Sequence, residues 1–190
     1  MEETVATGCV VKLDRGFPLV RLSDGVELRC KHATSLVKGE RVRAVIGDRV
    51  RVSFADRNDK ALIVEVLPRS RELVRKDPTE RAVPQVLAAN FDRVIVTQPL
   101  TEVNMRRLER ELVLAHETGA AVSVVLTKAD LAESEDAVER VRERVLALVG
   151  ADVETLVVSE ATPESVEAVR ALVPEGTTAV LIGRSGVGKS

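Results

Sequence analysis

From Val5 to Leu67 apolar residues come in short runs that alternate with polar ones. Period-two alternation is the signature of half-buried strands. It predicts strands at Val10-Val11, Leu19 to Leu22, Val26 to Cys30, Arg49 to Val52 and Leu62 to Val66. Between them lie Asp14-Arg15-Gly16, Ser23-Asp24-Gly25, Lys38-Gly39, Gly47-Asp48 and Arg57-Asn58-Asp59. Gly, Asn and Asp suit turns because they accept positive φ or bond their own backbone. About five short strands in roughly 65 residues predict a small closed barrel of OB-fold size.

Residues 68–90 lose this periodicity. They carry Pro68, Pro78 and Pro84 with Arg69, Arg71, Arg75, Lys76 and Arg81, and are expected to form a basic linker. From Phe91 the rhythm changes to strands alternating with helices. Val94 to Thr97, Val122 to Leu126, Leu156 to Val158 and Thr178 to Ile182 read as apolar strands. Met105–Thr118 places Leu108, Leu112 and Ala115 on one helical face, with Gly119 as its stop. Ala137–Val149 does the same with Val138, Val141, Val145 and Leu148, and Pro163–Val173 reads as a shorter helix. Apolar strands joined by helical crossovers predict an α/β domain, 91–190, with a parallel sheet covered on both faces.

The chain has 190 residues, enough for one large domain or two small ones. Apolar residues make up 45%, which excludes wholesale disorder. No apolar run approaches the roughly 18 residues of a membrane span, and the acidic start, Met1-Glu2-Glu3-Thr4, has no apolar stretch of signal-peptide length. A cytoplasmic protein with no membrane partner is the expectation. Cys9 and Cys30 lack ligand or disulfide spacing and read as small buried side chains. His32 and His116 read as surface residues, and Arg106, Arg107, Glu109, Arg110 and Glu111 as the solvated face of a helix. Net charge is −2, but residues 1–90 carry 17 basic against 13 acidic side chains, and residues 91–190 carry 11 against 17. That asymmetry suggests two units with different partners.

Chemistry is concentrated at the end of the second unit. Gly183-Arg184-Ser185-Gly186-Val187-Gly188-Lys189-Ser190 matches the P-loop pattern directly after an expected strand. Its glycines let successive backbone N–H groups face one set of phosphate oxygens. Lys189 is placed to contact the β- and γ-phosphates and stabilise charge as the phosphoryl group transfers, and the Ser190 hydroxyl to ligate Mg²⁺. At the end of the second strand of this unit stands Thr127-Lys128-Ala129-Asp130. A carboxylate there can accept two parallel hydrogen bonds from guanine, a pair that adenine does not offer. After the next strand come Ser159, Glu160 and Ala161, whose backbone N–H groups could reach the guanine carbonyl oxygen. The alternative for that stretch is an ordinary strand-end turn with Ser159 as a cap.

The order of these pieces is unusual, because the base-reading elements precede the phosphate loop. The chain resembles a circularly permuted GTPase. With the barrel ahead of it, it resembles the ribosome small-subunit-dependent GTPase A family. Ala88-Ala89-Asn90-Phe91-Asp92-Arg93-Val94, Val125 to Leu131 and Ser185 to Ser190 carry that resemblance.

The resemblance implies an N-terminal OB domain (1–67) that binds RNA, a permuted GTPase domain and a C-terminal zinc-binding domain. It implies GTP and GDP as ligands with Mg²⁺, and the small ribosomal subunit and its rRNA as the partner that stimulates hydrolysis. Thr127, Lys128, Asp130 and Ser159 would lie at the guanine. Gly183, Ser185, Gly186, Val187, Gly188, Lys189 and Ser190 would lie at the phosphates. Where the family usually has Asn and Ala, this chain has Thr127 and Glu160. The stop at Ser190 reads as a truncation. The switch segments and the Zn²⁺ module are then absent from this chain, which is expected to be inactive in hydrolysis as it stands, and monomeric.

A P-loop ATPase, with Thr127–Asp130 accidental, and an RNA-binding scaffold without turnover remain as alternatives. For the RNA face, strand parity turns Arg41, Arg43, Arg49 and Arg51 outward while Val42, Val50 and Val52 point in. Arg21, Arg29 and Lys31 join them, with Arg71, Arg75, Lys76 and Arg81 beside that face. With only three aromatics, all Phe, such a face would bind more by charge and shape than by stacking.

Overall fold

The computed structural model describes residues 4–14, 17–40, 42–54, 61–75 and 85–188. The chain divides into two compact units, 1–90 and 91–190.

In the first unit, β1 (Thr4–Asp14), β2 (Phe17–Leu22), β3 (Glu27–His32), β4 (Arg49–Phe54) and β5 (Ala61–Val66) close a barrel in the order β1-β2-β3-β5-β4. This is the OB-type barrel that the alternation predicts. Val10, Val20, Cys30, Val50, Val52 and Ile63 fill its interior and are wholly buried. Burial holds the Cys30 thiol up at about 11. Parity puts Arg21, Arg29, Lys31, Arg49 and Arg51 on the outside, where all are exposed. Register places Cys9 opposite both Arg49 on β4 and Arg21 on β2, so these two arginines flank one row of the outer face.

The segment around Arg43 departs from the expected alternation. Residues 42–45 are irregular, after a helical turn at Leu36–Glu40, and Arg41 lies outside the described residues. Val42 still packs against the barrel core. His32 organises this segment rather than facing solvent: its Nε2 accepts the Ala44 N–H at 2.9 Å. Burial, then the neighbouring Arg43, lowers its pKa, which keeps the imidazole a neutral acceptor. His116 is exposed as expected.

The stretch expected to be a linker contains paired strands. β6 (Glu72–Arg75) runs antiparallel to β7 (Gln85–Ala89); Arg71 and Arg75 fall here, while Lys76 and Arg81 lie outside the described residues. The pair is joined to the barrel through Ile46 and Gly47. The Ala89 N–H donates to the Ile46 carbonyl at 2.9 Å, and Asn90 Nδ2 donates to the Gly47 carbonyl at 3.0 Å. Gly47 has φ +89°, and a Cβ there would collide with the Ala89 carbonyl, so only glycine fits.

A buried ion pair completes the junction. Asp48 is wholly buried, and Arg69 grips both of its oxygens, Nε to Oδ1 at 2.7 Å and an Nη to Oδ2 at 2.9 Å. Oδ2 also accepts the Val45 N–H at 2.8 Å. The hydrogen bond to Asp48 raises the Arg69 pKa.

The second unit is the expected α/β layer. β8 (Arg93–Pro99), β9 (Ala121–Thr127), β10 (Glu154–Val157) and β11 (Ala179–Ile182) form a parallel sheet in the order β10-β9-β8-β11. α1 (Met105–Glu117), α2 (Glu135–Val149) and α3 (Pro163–Ala171) are the crossovers. Asn104 caps α1 by accepting the Arg107 N–H, and Ser134 caps α2 by accepting the Ala137 N–H. Leu108, Leu112 and Ala115 are buried along α1, as their spacing predicts. On α2 only Val145 is fully buried, and Leu148 is exposed. Among the described residues no helix is long and apolar enough to cross a membrane.

Arg69→Ala would leave the Asp48 carboxylate buried without its cation. It should destabilise the first unit by about 3–5 kcal/mol, whereas Lys12→Ala, on the exposed surface, should change stability by less than about 0.5 kcal/mol. Urea unfolding of the two variants checks this; equal midpoints would remove the ion pair from the account.

Candidate nucleotide site

Because β8 to β11 are parallel, their C-terminal ends share one edge of the sheet, where ligands bind in open α/β folds. Three sequence-singled loops emerge there: Thr127–Asp130 after β9, Val158–Ala161 after β10 and Gly183–Gly188 after β11.

Gly183 starts the third loop against β8. Its φ is +149°, and a Cβ would strike Thr97, whose hydroxyl donates to the Ile182 carbonyl at 2.9 Å. Gly186 and Gly188 also take positive φ, at +79° and +86°. The backbone N–H groups of Ser185, Gly186, Val187 and Gly188 donate to no partner among the described residues. Four unengaged donors in one tight loop form an anion cradle. Lys189 and Ser190 lie outside the described residues.

Thr127 ties the cradle to the sheet. It is buried, and its hydroxyl donates to the Val187 carbonyl at 2.5 Å, with the Gln98 carbonyl at 3.4 Å. Lys128 follows in the left-handed region at φ +60°, which turns the chain sharply after the strand.

The exposed Asp130 carboxylate is held from β10's side. Ser159 Oγ donates to Asp130 Oδ1 at 2.6 Å and accepts the Ala161 N–H at 3.1 Å. The Ser159 N–H donates to Ser165 Oγ on α3 at 3.2 Å. That leaves the Glu160 N–H as the free donor of this turn among the described residues. Ser159 thus acts as a turn-forming serine and as the residue that orients Asp130. The helix cap expected of it falls instead at Thr162.

A cleft of about 240 Å³ runs from this turn to the phosphate loop. Thr127, Lys128, Ser159, Glu160 and Gly188 line one side, with Val158, Val166 and Val169 beneath. Of the expected site, Thr127, Lys128, Ser159 and Gly188 line this cleft, and Asp130 joins them through its bond from Ser159. Gly183, Ser185, Gly186, Val187 and Gly188 form one loop, and Thr127, Lys128, Asp130 and Ser159 stand beside it.

Sequence reasoning missed Thr97, Ser165 and Gln98. Thr97 and Ser165 act through contacts 85 and six residues away in sequence, and no motif marks them. Gln98 donates through Nε2 to Glu111 at 2.7 Å, which draws Glu111 out of the solvated face expected for α1.

The family model described as RsgA GTPase matches residues 66–190. A small ribosomal subunit biogenesis GTPase RsgA from Streptomyces coelicolor is 39% identical over 197 residues, covering 99% of this chain and 50% of that protein. The same-named protein of Xanthomonas campestris pv. campestris is 40% identical over 150 residues, covering 78% and 39%. The chain therefore spans about half, or less, of the curated relatives it matches.

Among solved structures, YjeQ from Thermotoga maritima aligns with a TM-score of 0.75 at 25% identity, covering 98% of this chain and 63% of the other. YloQ, described as a circularly permuted GTPase, aligns at 0.70 and 19%, covering 97% and 62%, which speaks for the fold alone. On the family match and the full-length similarity, this chain belongs to the RsgA GTPase family.

Proposed function

We propose that residues 91–190 bind GTP and GDP, that residues 1–67 bind RNA, and that the protein hydrolyses GTP during maturation of the small ribosomal subunit. The single observation that carries the nucleotide reading is the cradle: unengaged N–H groups from Ser185 to Gly188 beside a carboxylate, Asp130, held by Ser159. A phosphate chain needs the first and a guanine edge the second.

On this reading Asp130 accepts from N1–H and the exocyclic amine of guanine. The Glu160 N–H donates to the guanine carbonyl oxygen, and Lys128 lines the base side of the cleft. The loop amides take the phosphates. Lys189 and Ser190, by their place in the motif, supply the phosphate cation and a Mg²⁺ ligand. The Ser190 hydroxyl would hold Mg²⁺, which would supply charge neutralisation to the phosphates. The chain's own contribution is positioning: Thr127 fixes the distance from the base loop to the phosphate loop, and Gly183 lets that loop sit against β8. Zn²⁺ belongs on this reading to a separate C-terminal module. The protein works as a cytoplasmic monomer whose partner is the small subunit and its rRNA. The barrel's outer arginines and Lys31 supply the RNA-facing charge.

Three measurements test this. Asp130→Asn should weaken GTP binding by roughly 10- to 100-fold and make xanthosine triphosphate the better ligand, since its oxo group needs a donor. Competition among nucleotides checks it, and equal affinity of the parent for ATP and GTP would sink the base reading.

Thr127→Val keeps the volume but leaves the Val187 carbonyl without its donor. A buried unsatisfied carbonyl costs about 1–3 kcal/mol. Nucleotide affinity should fall and amide exchange at residues 185–188 should quicken; unchanged exchange would show the bond to be incidental.

Arg21→Ala with Arg49→Ala should weaken small-subunit binding and flatten its salt dependence by about one unit of slope per lost phosphate contact. An unchanged slope would move the RNA face elsewhere.

A further inference from the structure

Glu160 has two ends in the nucleotide cleft, and they have opposite chemistry. Its backbone N–H is the unengaged donor of the turn after β10. Its side chain folds back toward the phosphate loop: a Cβ built on Gly188 would lie 3.5 Å from Glu160 Oε1 and 3.7 Å from Thr127 Cβ. The carboxylate has no hydrogen bond or ion pair among the described residues. The backbone that aims it is fixed on both sides, by the Ser159 N–H on Ser165 and by the Ala161 N–H on Ser159.

An unpaired carboxylate at this place stands against the anion that the loop is built to hold. Two cations also line the cleft, and neither cancels it. Among the described residues neither forms an ion pair with it: Arg170 is paired with Glu167, and Lys128 lines the same cleft without an ion pair to Glu160.

We propose that Glu160 sets nucleotide affinity in this protein: its amide reads the base, while its carboxylate repels the phosphates bound at Gly188 and so speeds release. This rests on the guanine-nucleotide reading above. A single exposed charge beside a bound phosphate, screened as a cleft open to solvent allows, is worth roughly 5- to 30-fold in affinity. The opposite role is also chemically open to a carboxylate, as an acceptor for a ribose hydroxyl. The two differ in sign.

The test is the affinity and release rate of fluorescent GDP, with guanosine as a ligand lacking phosphate, in the parent protein and in Glu160→Gln and Glu160→Ala. Both variants keep the backbone amide, and the position is exposed, so the fold is not at stake. The expected result is about 5- to 30-fold tighter GDP and correspondingly slower release in both, shrinking at high salt, with guanosine unchanged. Unchanged GDP affinity would overturn the proposal. So would weaker binding in both variants, which marks a ribose acceptor. If the parent binds ATP as well as GTP, the base reading fails on its own, and the charge effect is still read with either nucleotide.

Discussion

The nucleotide site depends on one hydrogen bond, from the buried Thr127 hydroxyl to the carbonyl of Val187. Thr127 ends β9, and Val187 sits within the loop after β11, which is not adjacent to β9 in the sheet. The loop is also held near its start, where the Thr97 hydroxyl donates to the Ile182 carbonyl and Arg184 pairs with Glu102. With the Thr127 bond, the Val187 carbonyl is engaged and the N–H groups of residues 185–188 have no partners among the described residues. An anion cradle requires that arrangement, because amides satisfied inside the protein cannot bind phosphate. The bond also fixes Asp130 relative to the cradle, three residues further along the same turn. On the proposed reading, one side chain therefore bears on both base and phosphate recognition.

The first unit relies on a different constraint. Its barrel core is small and aliphatic, and the pair β6–β7 adds little apolar burial beyond Leu73, Ala88 and Ala89. What joins the pair to the barrel is polar: Asp48 with Arg69, and Asn90 with the Gly47 carbonyl. Such contacts are directional, so they define position more than they add stability. Asn90, at the last residue of this unit, takes φ +56°, a conformation that asparagine accepts more readily than most side chains.

Periodic features were legible in the sequence. Strands of both units follow from alternation or from apolar runs, and α1 buries the three residues its spacing selects. The loops with chemical motifs were legible as well, because Gly-rich phosphate loops and strand-end carboxylates act through local backbone and side-chain type. What escaped was long-range pairing of irregular segments. β6 and β7 are four and five residues long with prolines near them, so local propensity gave no strand. Arg69 looked like one more basic linker residue, since its partner Asp48 lies 21 residues earlier in a turn that seemed only a turn. His32 misled for the same reason: its acceptor role depends on an irregular segment 12 residues away.

Glu160 shows how far residue type alone carries. A backbone contact tolerates any side chain, so an amide that reads a base leaves its own Cβ substituent free to vary. In this fold the exposed Glu160 side chain still reaches the phosphate loop, its Oε1 3.5 Å from where a Cβ on Gly188 would stand. Variation at such a position alters the electrostatics of the phosphate cradle without altering base selection. On the proposed reading, affinity and specificity are then set by separate atoms of one residue. Thr127 has the converse arrangement, in which one hydroxyl serves both.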